Sequence, residues 1–308
     1  PAAEKIFLEL LLDYEKKGDT ENPNYVASMG SLARVFMEQR KYDEGLRYMR
    51  EGLELSTRIN GERHRTTLVS TINLGIALSE LGRYEEALVY MERGYEAFRE
   101  IFGEKAPSTV FVSATYADLL VKLGRTAEAE PVLKNAVSIN IEILGPDHPN
   151  TLISQYSLSR LLFVSGRTVE AEEMVRSVLE KSTEVLGPDK DITLECRDLL
   201  GRILNSRGDS RQAEKIHRDV LEIRNSSLGT SDPSYGGTLL YLAESLYEQG
   251  KYEESGRMAR RAVKWHHESL GPDHLDTKKS AALLVKAFTA SGRPEQADTL
   301  LESLDLRK

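Results

Sequence analysis

The sequence has few aromatic residues, a single cysteine and no long apolar run, and each shortage removes a class of protein. Cys196 is the only cysteine among 308 residues, so an internal disulfide is impossible, which fits a reducing compartment. No apolar stretch reaches the ~20 residues that a helix needs to span a membrane, and no secretory signal pattern stands at the start. We therefore expect a cytoplasmic protein without membrane insertion.

An excess of basic residues is also lacking. The chain carries 41 Lys and Arg residues against 49 Asp and Glu residues, a formal net charge of −8. A protein whose main partner is a nucleic acid needs a positive surface that faces the phosphate backbone. The charge balance therefore predicts that nucleic acid is not the partner.

What the sequence does have is a motif that returns at a constant interval. The segment LGPDHPNTL begins at Leu144, and shorter copies, LGPD and LGPDH, begin at Leu186 and Leu270. The glycines of these and of more degenerate copies stand at positions 61, 103, 145, 187, 229 and 271, a spacing of 42 residues. A fixed period of this length indicates a repeat architecture, in which each unit packs only on its neighbours.

Between the motifs, each repeat has the pattern of a helix A, a tight turn and a helix B. Proline at the first turn of several A helices costs no hydrogen bond, and glycine marks the A–B turn in six repeats, with Arg40 in its place in the first. Small residues recur in two columns, which begin at Ala33 and Gly45, and they allow the two helices to approach closely. A column of large apolar residues, beginning at Leu32, then fills the seam between repeats.

This pattern predicts an all-α chain of about fifteen helices that forms a single array over residues 1–308. Residues 1–18 form a leading helix B, which indicates either a piece of a longer protein or a capping helix. Seven helix pairs follow, at 23–60, 65–102, 107–144, 149–186, 192–228, 233–270 and 275–306.

The A–B turns resemble those of a known family. The runs GRYEEA from Gly82 and GKYEES from Gly250 are similar to the turns of tetratricopeptide repeats, and the 42-residue period with its LGPDHP joint resembles the repeats of kinesin light chains. The resemblance implies a right-handed superhelical solenoid of antiparallel helix pairs, with the A helices lining a concave groove. The groove itself departs from kinesin light chains, because only Asn73 remains of their Leu-Asn-Asn-Leu-Ala run.

The histidines do not predict a metal site. His64, His148 and His274 occupy equivalent turns, which stand too far apart to share one ion, so we expect them to cap the A helices. We expect His266 to lie on a solvated face of helix B and Cys196 to be a buried structural thiol. No catalytic residue, metal or cofactor is predicted.

The groove positions that the resemblance implies include aromatic and basic residues. Tyr156 and Phe163, flanked by Lys122, Arg160 and Arg202, predict an aromatic pocket with a basic rim, which would seat an apolar anchor and pair with a carboxylate. The alternative is that Arg202 and Arg160 pair with Asp198 and Asp118. The full set of predicted peptide-binding residues is Asn73, Lys122, Tyr156, Arg160, Phe163, Arg202, Asn205, Tyr241 and Tyr247.

The leading hypothesis is a non-enzymatic scaffold or adaptor whose concave groove holds a protein or peptide segment. One alternative is a ligand-sensing or autoinhibitory regulatory domain of a larger signalling protein. Another is an enzyme that uses groove carboxylates such as Asp118, Asp198 and Glu244. Arrays also need polar caps, so Leu300, Leu301 and Leu304 at the last repeat predict end-to-end self-association.

Overall fold

The computed structural model describes residues 2–227, 232–304 and 306, and within them the chain forms fifteen α-helices and no strand. The predicted all-α class and its alternation of A and B helices are confirmed. The motif copy at 228–231 lies outside the described residues. The first helix is α1 (Ala2–Lys17), and the A helices are α2 (Pro23–Glu38), α4 (Arg65–Glu80), α6 (Pro107–Lys122), α8 (Pro149–Val164), α10 (Asp191–Ser206), α12 (Tyr235–Glu248) and α14 (Leu275–Ala290). The B helices are α3 (Tyr42–Asn60), α5 (Tyr84–Phe102), α7 (Thr126–Leu144), α9 (Thr168–Val185), α11 (Ser210–Ser227), α13 (Tyr252–Leu270) and α15 (Glu295–Ser303).

The contacts among these helices divide the chain into two compact units, residues 1–125 (unit 1) and 126–308 (unit 2). Unit 1 contains α1 to α6 and unit 2 contains α7 to α15. The single array over residues 1–308 stays a prediction.

Histidine side chains begin three of the A helices, as predicted. The Nδ1 atoms of His64, His148 and His274 accept hydrogen bonds from backbone N–H groups two residues ahead, at 3.3, 3.1 and 3.1 Å. Each bond satisfies one of the N–H groups that the first turn of a helix leaves without a partner. The recurrent polar motif is therefore structural at these turns.

Glycine ends the A helices in a left-handed conformation. Gly82 has φ +74°, and the hydrogen bond from Arg83 N to Leu78 O, at 2.9 Å, closes the turn. A side chain at such a φ brings Cβ close to a carbonyl oxygen, which is why glycine recurs there. Arg40 takes the same conformation, with φ 62°, in the repeat that lacks the glycine.

The predicted columns of small residues lie where the two helices of a repeat meet. Ala33, Ala87 and Ala171 are fully buried. A Cβ atom at Gly75 would stand 2.7 Å from the sulfur of Met91, so the helix backbone there is in direct contact with its neighbour. The seventh repeat departs from the column, because Val285 is 39% exposed.

The apolar end predicted for self-association is covered. Leu300 and Leu301 of α15 are buried in a cluster that includes Val263 of α13 and Leu284 of α14, and Leu304 packs against the same cluster. The short last helix folds back on the helices before it. The prediction that these leucines lie on an open end is therefore wrong.

The expectation for His266 is also wrong, whereas that for Cys196 is confirmed. His266 is 3% exposed, and its Nδ1 lies 2.8 Å from Ser280 Oγ. Its position belongs to a buried column with a period of 42 residues, so it faces the next A helix rather than solvent. Burial lowers the pKa of His266 to about 4 and raises that of the Cys196 thiol to about 12.

Replacement of Gly82 by alanine is expected to lower the free energy of unfolding by about 1 kcal/mol, because the left-handed φ disfavours any Cβ. The matched control is Gly30→Ala. Gly30 lies exposed inside α2 with ordinary helical φ and no atom within 4 Å of an added Cβ. That change should stabilise by up to ~1 kcal/mol. Urea denaturation followed by circular dichroism measures both, and equal signs for the two variants would contradict the turn assignment.

Stability should fall as the pH drops below about 6.5, because the unfolded state then protonates His266 while the folded state resists down to about pH 4. The charge of Asp276 raises the pKa of His266, whereas His274 and Lys279 lower it further. Between pH 7 and pH 5 the loss attributable to this group is about 2 kcal/mol. His266→Asn should remove that part of the pH dependence and His267→Asn should keep it, as read from urea denaturation at the two pH values. An unchanged slope in the first variant would show that His266 is not the titrating group.

Candidate functional site

Five of the predicted site residues form one cluster on the A helices of unit 2. Tyr156, Arg160 and Phe163 lie along one face of α8, since residues three and four apart in a helix are neighbours. Arg202 on α10 and Tyr241 on α12 complete the set, and α8 contacts α10 while α10 contacts α12. We call these five residues the aromatic–arginine cluster.

Arg202 lies at the centre of the cluster. The carbon of its guanidinium is 5.2 Å from the ring centroid of Phe163 and 4.7 Å from that of Tyr241. Both distances are within the range of a cation–π interaction. Among the described residues the Arg202 side chain makes no ion pair with a carboxylate. Burial opposes its charge, but the nearby Tyr241, Tyr156, Glu244 and Asp198 together raise its pKa.

The alternative pairing of Arg202 with Asp198 does not form. Asp198 is 2% exposed, and its Oδ1 lies 3.0 Å from His217 Nδ1. Its Oδ2 accepts hydrogen bonds from Thr238 Oγ1 at 2.7 Å and Arg224 Nη2 at 3.5 Å. Both oxygens of Asp198 therefore have other partners.

The corresponding proposal for Arg160 and Asp118 would join the two units and stays a prediction. Within unit 1, Asp118 lies 3.3 Å from Lys122. Burial lowers the pKa of Arg160, and the neighbouring Glu195 opposes that shift.

A largely buried ionic network contacts the cluster through Tyr156. Glu195 accepts hydrogen bonds from Tyr156 Oη at 2.9 Å and from Arg224 Nη2 at 3.0 Å. Arg224 is 1% exposed, and its Nη1 donates to Asp232 Oδ2 at 2.7 Å. Burial and the nearby Glu195 raise the pKa of Tyr156 well above its usual value, so its hydroxyl stays a donor.

Sequence reasoning missed Arg224 and His217, because it considered the A helices and both residues lie on helix B α11. The signal was present in the repeat columns. Positions related to Arg224 by multiples of 42 hold Ser56, Phe98, Asn140, Ser182 and His266, and those related to His217 hold Met49, Met91, Leu133, Val175 and Ala259. His217 is ionisable in a column that is otherwise apolar, and Arg224 shares its column with the polar Asn140 and His266, so both residues mark a departure from pure packing.

The remaining predicted residues have other surroundings within their own units. In unit 2, the Tyr247 ring is 5.2 Å from that of Tyr252, with the Lys286 nitrogen 5.6 Å from its centroid, and the buried Oδ1 of Asn205 has no hydrogen-bond partner. In unit 1, Lys122 Nζ donates to Ser79 Oγ at 3.3 Å, and Asn73 lines an open groove between α2 and α4.

Two further properties bear on the kind of site. Across the described residues, no three His, Cys, Asp or Glu side chains are grouped so that they could hold a metal ion. None of the helices in residues 2–227 and 232–304 combines the length and the apolar character that crossing a membrane requires.

Known proteins resemble this chain in sequence pattern and in fold. The sequence model described as tetratricopeptide repeat matches residues 25–100, 109–181, 161–226 and 236–304. No curated protein matches the sequence at a significant level.

Three solved structures illustrate the likeness of fold. Nearly identical TPR-like repeats from Podosopora anserina, described as kinesin light chain, share 24% identity at a TM-score of 0.51, covering 65% of this chain and 95% of that one. BtubC (BKLC) of P. vanneervenii shares 18% identity at 0.54, covering 74% and 89%. NprR, solved in complex with its cognate peptide NprX, shares 14% identity at 0.69, covering 98% and 87%.

Replacement of Arg224 by serine, the residue at the equivalent positions 56 and 182, is expected to destabilise the protein by about 3–5 kcal/mol. The loss arises because Asp198 and Asp232 would remain buried as carboxylates without their cation. Adding Asp198→Asn should recover about 1 kcal/mol or more, since the amide keeps hydrogen bonds without charge.

The control is Arg257→Ser, which removes an arginine whose side chain is 58% exposed and should cost under about 0.5 kcal/mol. Urea denaturation curves of the three variants and of the wild type measure these effects. Equal losses for Arg224→Ser and Arg257→Ser, or no rescue by Asp198→Asn, would show that the network does not behave as a buried ionic unit.

Proposed function

Because this chain belongs to the tetratricopeptide repeat family, we propose that it is a non-enzymatic scaffold or adaptor module that binds a protein or peptide segment along its A helices. The aromatic–arginine cluster is the anchor point of that segment in unit 2. The predicted peptide-binding residues Tyr156, Arg160, Phe163, Arg202 and Tyr241 act there together. The same proposal places the protein in the cytoplasm, in keeping with its free thiol.

The observation that carries the proposal is the environment of Arg202. Two rings stabilise its charge by about 0.5–2 kcal/mol, and among the described residues no carboxylate forms an ion pair with it. An arginine held in this way is ready for a bidentate pair with an anion, at little further loss of side-chain freedom. A carboxylate of the bound segment supplies that anion.

The surroundings of Arg202 also suit an apolar side chain of the ligand. The rings of Phe163 and Tyr241 both lie close to the guanidinium, and the hydroxyl of Tyr156 is bonded to Glu195. Aromatic and arginine anchors of this kind dominate many protein interfaces, because they are large and lose little entropy on binding.

The state of the carboxylates supports binding over catalysis. Asp198 is buried, and its two oxygens are occupied by His217, Thr238 and Arg224. Burial raises the pKa of Glu244, although Arg202 opposes the shift. Because both of its oxygens have partners in the protein, Asp198 is poorly placed to take a proton from a substrate as a general base.

The likeness to NprR adds general support. That protein shares the fold over nearly the whole chain and was solved with a bound peptide. A protein of this fold is therefore known to bind a peptide. The kind of segment proposed for this chain is argued from the chemistry of Arg202 and its neighbours, not from the fold.

A selection from a displayed library of random twelve-residue peptides tests the proposal. Peptides recovered by the wild-type protein should be enriched in acidic residues beside aromatic or aliphatic ones, and Arg202→Gln should reduce the recovery of this class at least tenfold. Arg257→Gln, an exposed arginine on α13, is the control and should leave it unchanged.

Circular dichroism of each variant checks that the fold is retained. Equal recovery of that peptide class by the wild type and by Arg202→Gln would refute the cluster as the anchor point. Recovery of no peptide above background by the folded wild-type protein would refute peptide binding itself.

A further inference from the structure

Two B helices of unit 2, α7 and α9, end in aliphatic side chains that the protein leaves partly uncovered. Ile141, Ile143 and Leu144 stand in the last turn of α7, and Val185 is the last residue of α9. The four residues are between 38% and 48% exposed. We call them the helix-end patch.

The ends of these two helices lie side by side. Lys181, one turn before Val185, reaches the carboxylate of Asp147 in the turn that follows α7, with 3.7 Å between Nζ and Oδ1. Residues four apart in a helix lie on the same side, so Val185 faces the end of α7 as Lys181 does. The exposed aliphatic residues therefore form one surface, whereas single exposed apolar residues would need no explanation.

The repeat pattern shows that the turn after helix B does not require an aliphatic residue at this position. Ile143 and Val185 belong to a column with a period of 42 residues, which holds isoleucine at positions 59 and 101 and serine at 227 and 269. Helix α13 carries Ser269 and still ends at Leu270, before the same Gly-Pro turn. Packing within the repeat therefore does not account for the aliphatic side chains of the patch.

The last turns of α7 and α9 also differ from those of the other long B helices in charge. Among the B helices of 18 or 19 residues that the structure describes, these two have no basic residue in the last turn. The other four helices, α3, α5, α11 and α13, carry Arg58, Arg99, Arg224 and His267 there. The C-terminal end of a helix has a partial negative charge, which a nearby cation stabilises, so α7 and α9 leave this place open.

Acidic side chains add to the negative charge beside the patch. Glu180 and Glu184 lie four residues apart on one side of α9, and both are exposed. Glu180 has no hydrogen bond or ion pair within the part of the chain that the structure describes. Lys181 already pairs with Asp147 and, also at 3.7 Å, with Glu184. A partner that brings cations to this edge therefore gains from the surrounding charge.

The size of the patch argues against a second copy of the chain as its cover. Four partly exposed aliphatic residues offer a few hundred Å² of surface, whereas each partner in a stable protein–protein interface buries about 800 Å². The patch consists of helix side chains, so it offers no backbone pairing to an extended segment. An amphipathic helix fits it, since such a helix presents aliphatic residues three and four positions apart with charged residues on either side.

We propose that the helix-end patch is an interaction surface for an amphipathic helix of another protein, whose aliphatic stripe covers the patch and whose flanking lysine or arginine residues pair with Glu180 and Glu184. The surface consists of B-helix residues and shares none with the aromatic–arginine cluster. The proposal therefore does not rest on the function proposed for that cluster, and a chain that uses both surfaces joins two partners.

A displayed library of eighteen-residue helical peptides tests the proposal. Each peptide carries leucines at helical spacing on one face, and its flanking positions vary among Lys, Glu and Gln. The wild-type protein should enrich the peptides with lysine at the flanks. The double variant Ile143→Ser, Val185→Ser, which introduces the residue of positions 227 and 269, should reduce their recovery at least tenfold. Val169→Ser removes an exposed valine at the other end of α9 and should leave it unchanged.

A change of charge is the second arm. Glu184→Arg should reduce recovery of the lysine-flanked peptides at least threefold. Glu173→Arg makes the same change at an exposed position three turns earlier in α9 and should leave recovery unchanged, as should Arg202→Gln. Circular dichroism of each variant confirms that the helices are retained.

Full recovery of the peptides by the serine double variant, or equal enrichment of lysine-flanked and glutamate-flanked peptides by the wild type, would overturn the proposal. Loss of the peptides in Arg202→Gln with full recovery by the serine variant would assign them to the aromatic–arginine cluster, and the function proposed there would stand without this surface. A wild-type dimer in light scattering that disappears in the serine variant would show that a second copy covers the patch, which would overturn the proposed occupant.

Discussion

Close approach between the two helices of each repeat is the constraint on which the rest of this structure depends. Ala87 and Ala171 are fully buried at that approach, and at Gly75 the neighbouring Met91 occupies the space of a side chain. Two helix axes can come this close only where the residues at their contact are small. Their recurrence every 42 residues keeps the helices in register, and the register decides which residues of each A helix remain on the open face.

Some residues depart from the repeat pattern, and they distinguish this protein from a regular array. His217 occupies a column that other repeats fill with apolar residues, and Arg224 occupies one that holds Ser, Phe, Asn or His elsewhere. The buried charge of Arg224 is tolerated because Asp198, Glu195 and Asp232 surround it. This network also holds the Tyr156 hydroxyl, so the contact between repeats and the shape of the aromatic–arginine cluster have a common origin. Arg202, by contrast, contacts two aromatic rings and makes no ion pair among the described residues.

The aromatic–arginine cluster is organised before a ligand binds. In unit 2 the Arg202 guanidinium lies close to two rings, and this contact reduces the entropy lost when an anion binds. The cluster therefore favours a defined anchor on the bound segment.

The sequence by itself determined the helices and their register. Its period located the A helices that begin at Pro23, Arg65, Pro107, Pro149 and Leu275. The recurrence of the turn motif indicated that the histidines within that motif are helix caps. These features are local or strictly periodic, so spacing suffices to find them. The grouping of Tyr156, Arg160, Phe163, Arg202 and Tyr241 on one face was predictable in part for the same reason.

Only the tertiary structure decided which polar groups find partners. Asp198 turns to Arg224 and His217 rather than to Arg202, and His266 is buried because its helix faces the next repeat. The folding back of α15 likewise covers Leu300 and Leu301. These pairings depend on distances between side chains of different helices. Where several neighbours could pair with or cover the same side chain, the spacing of residues along the sequence does not show which of them does.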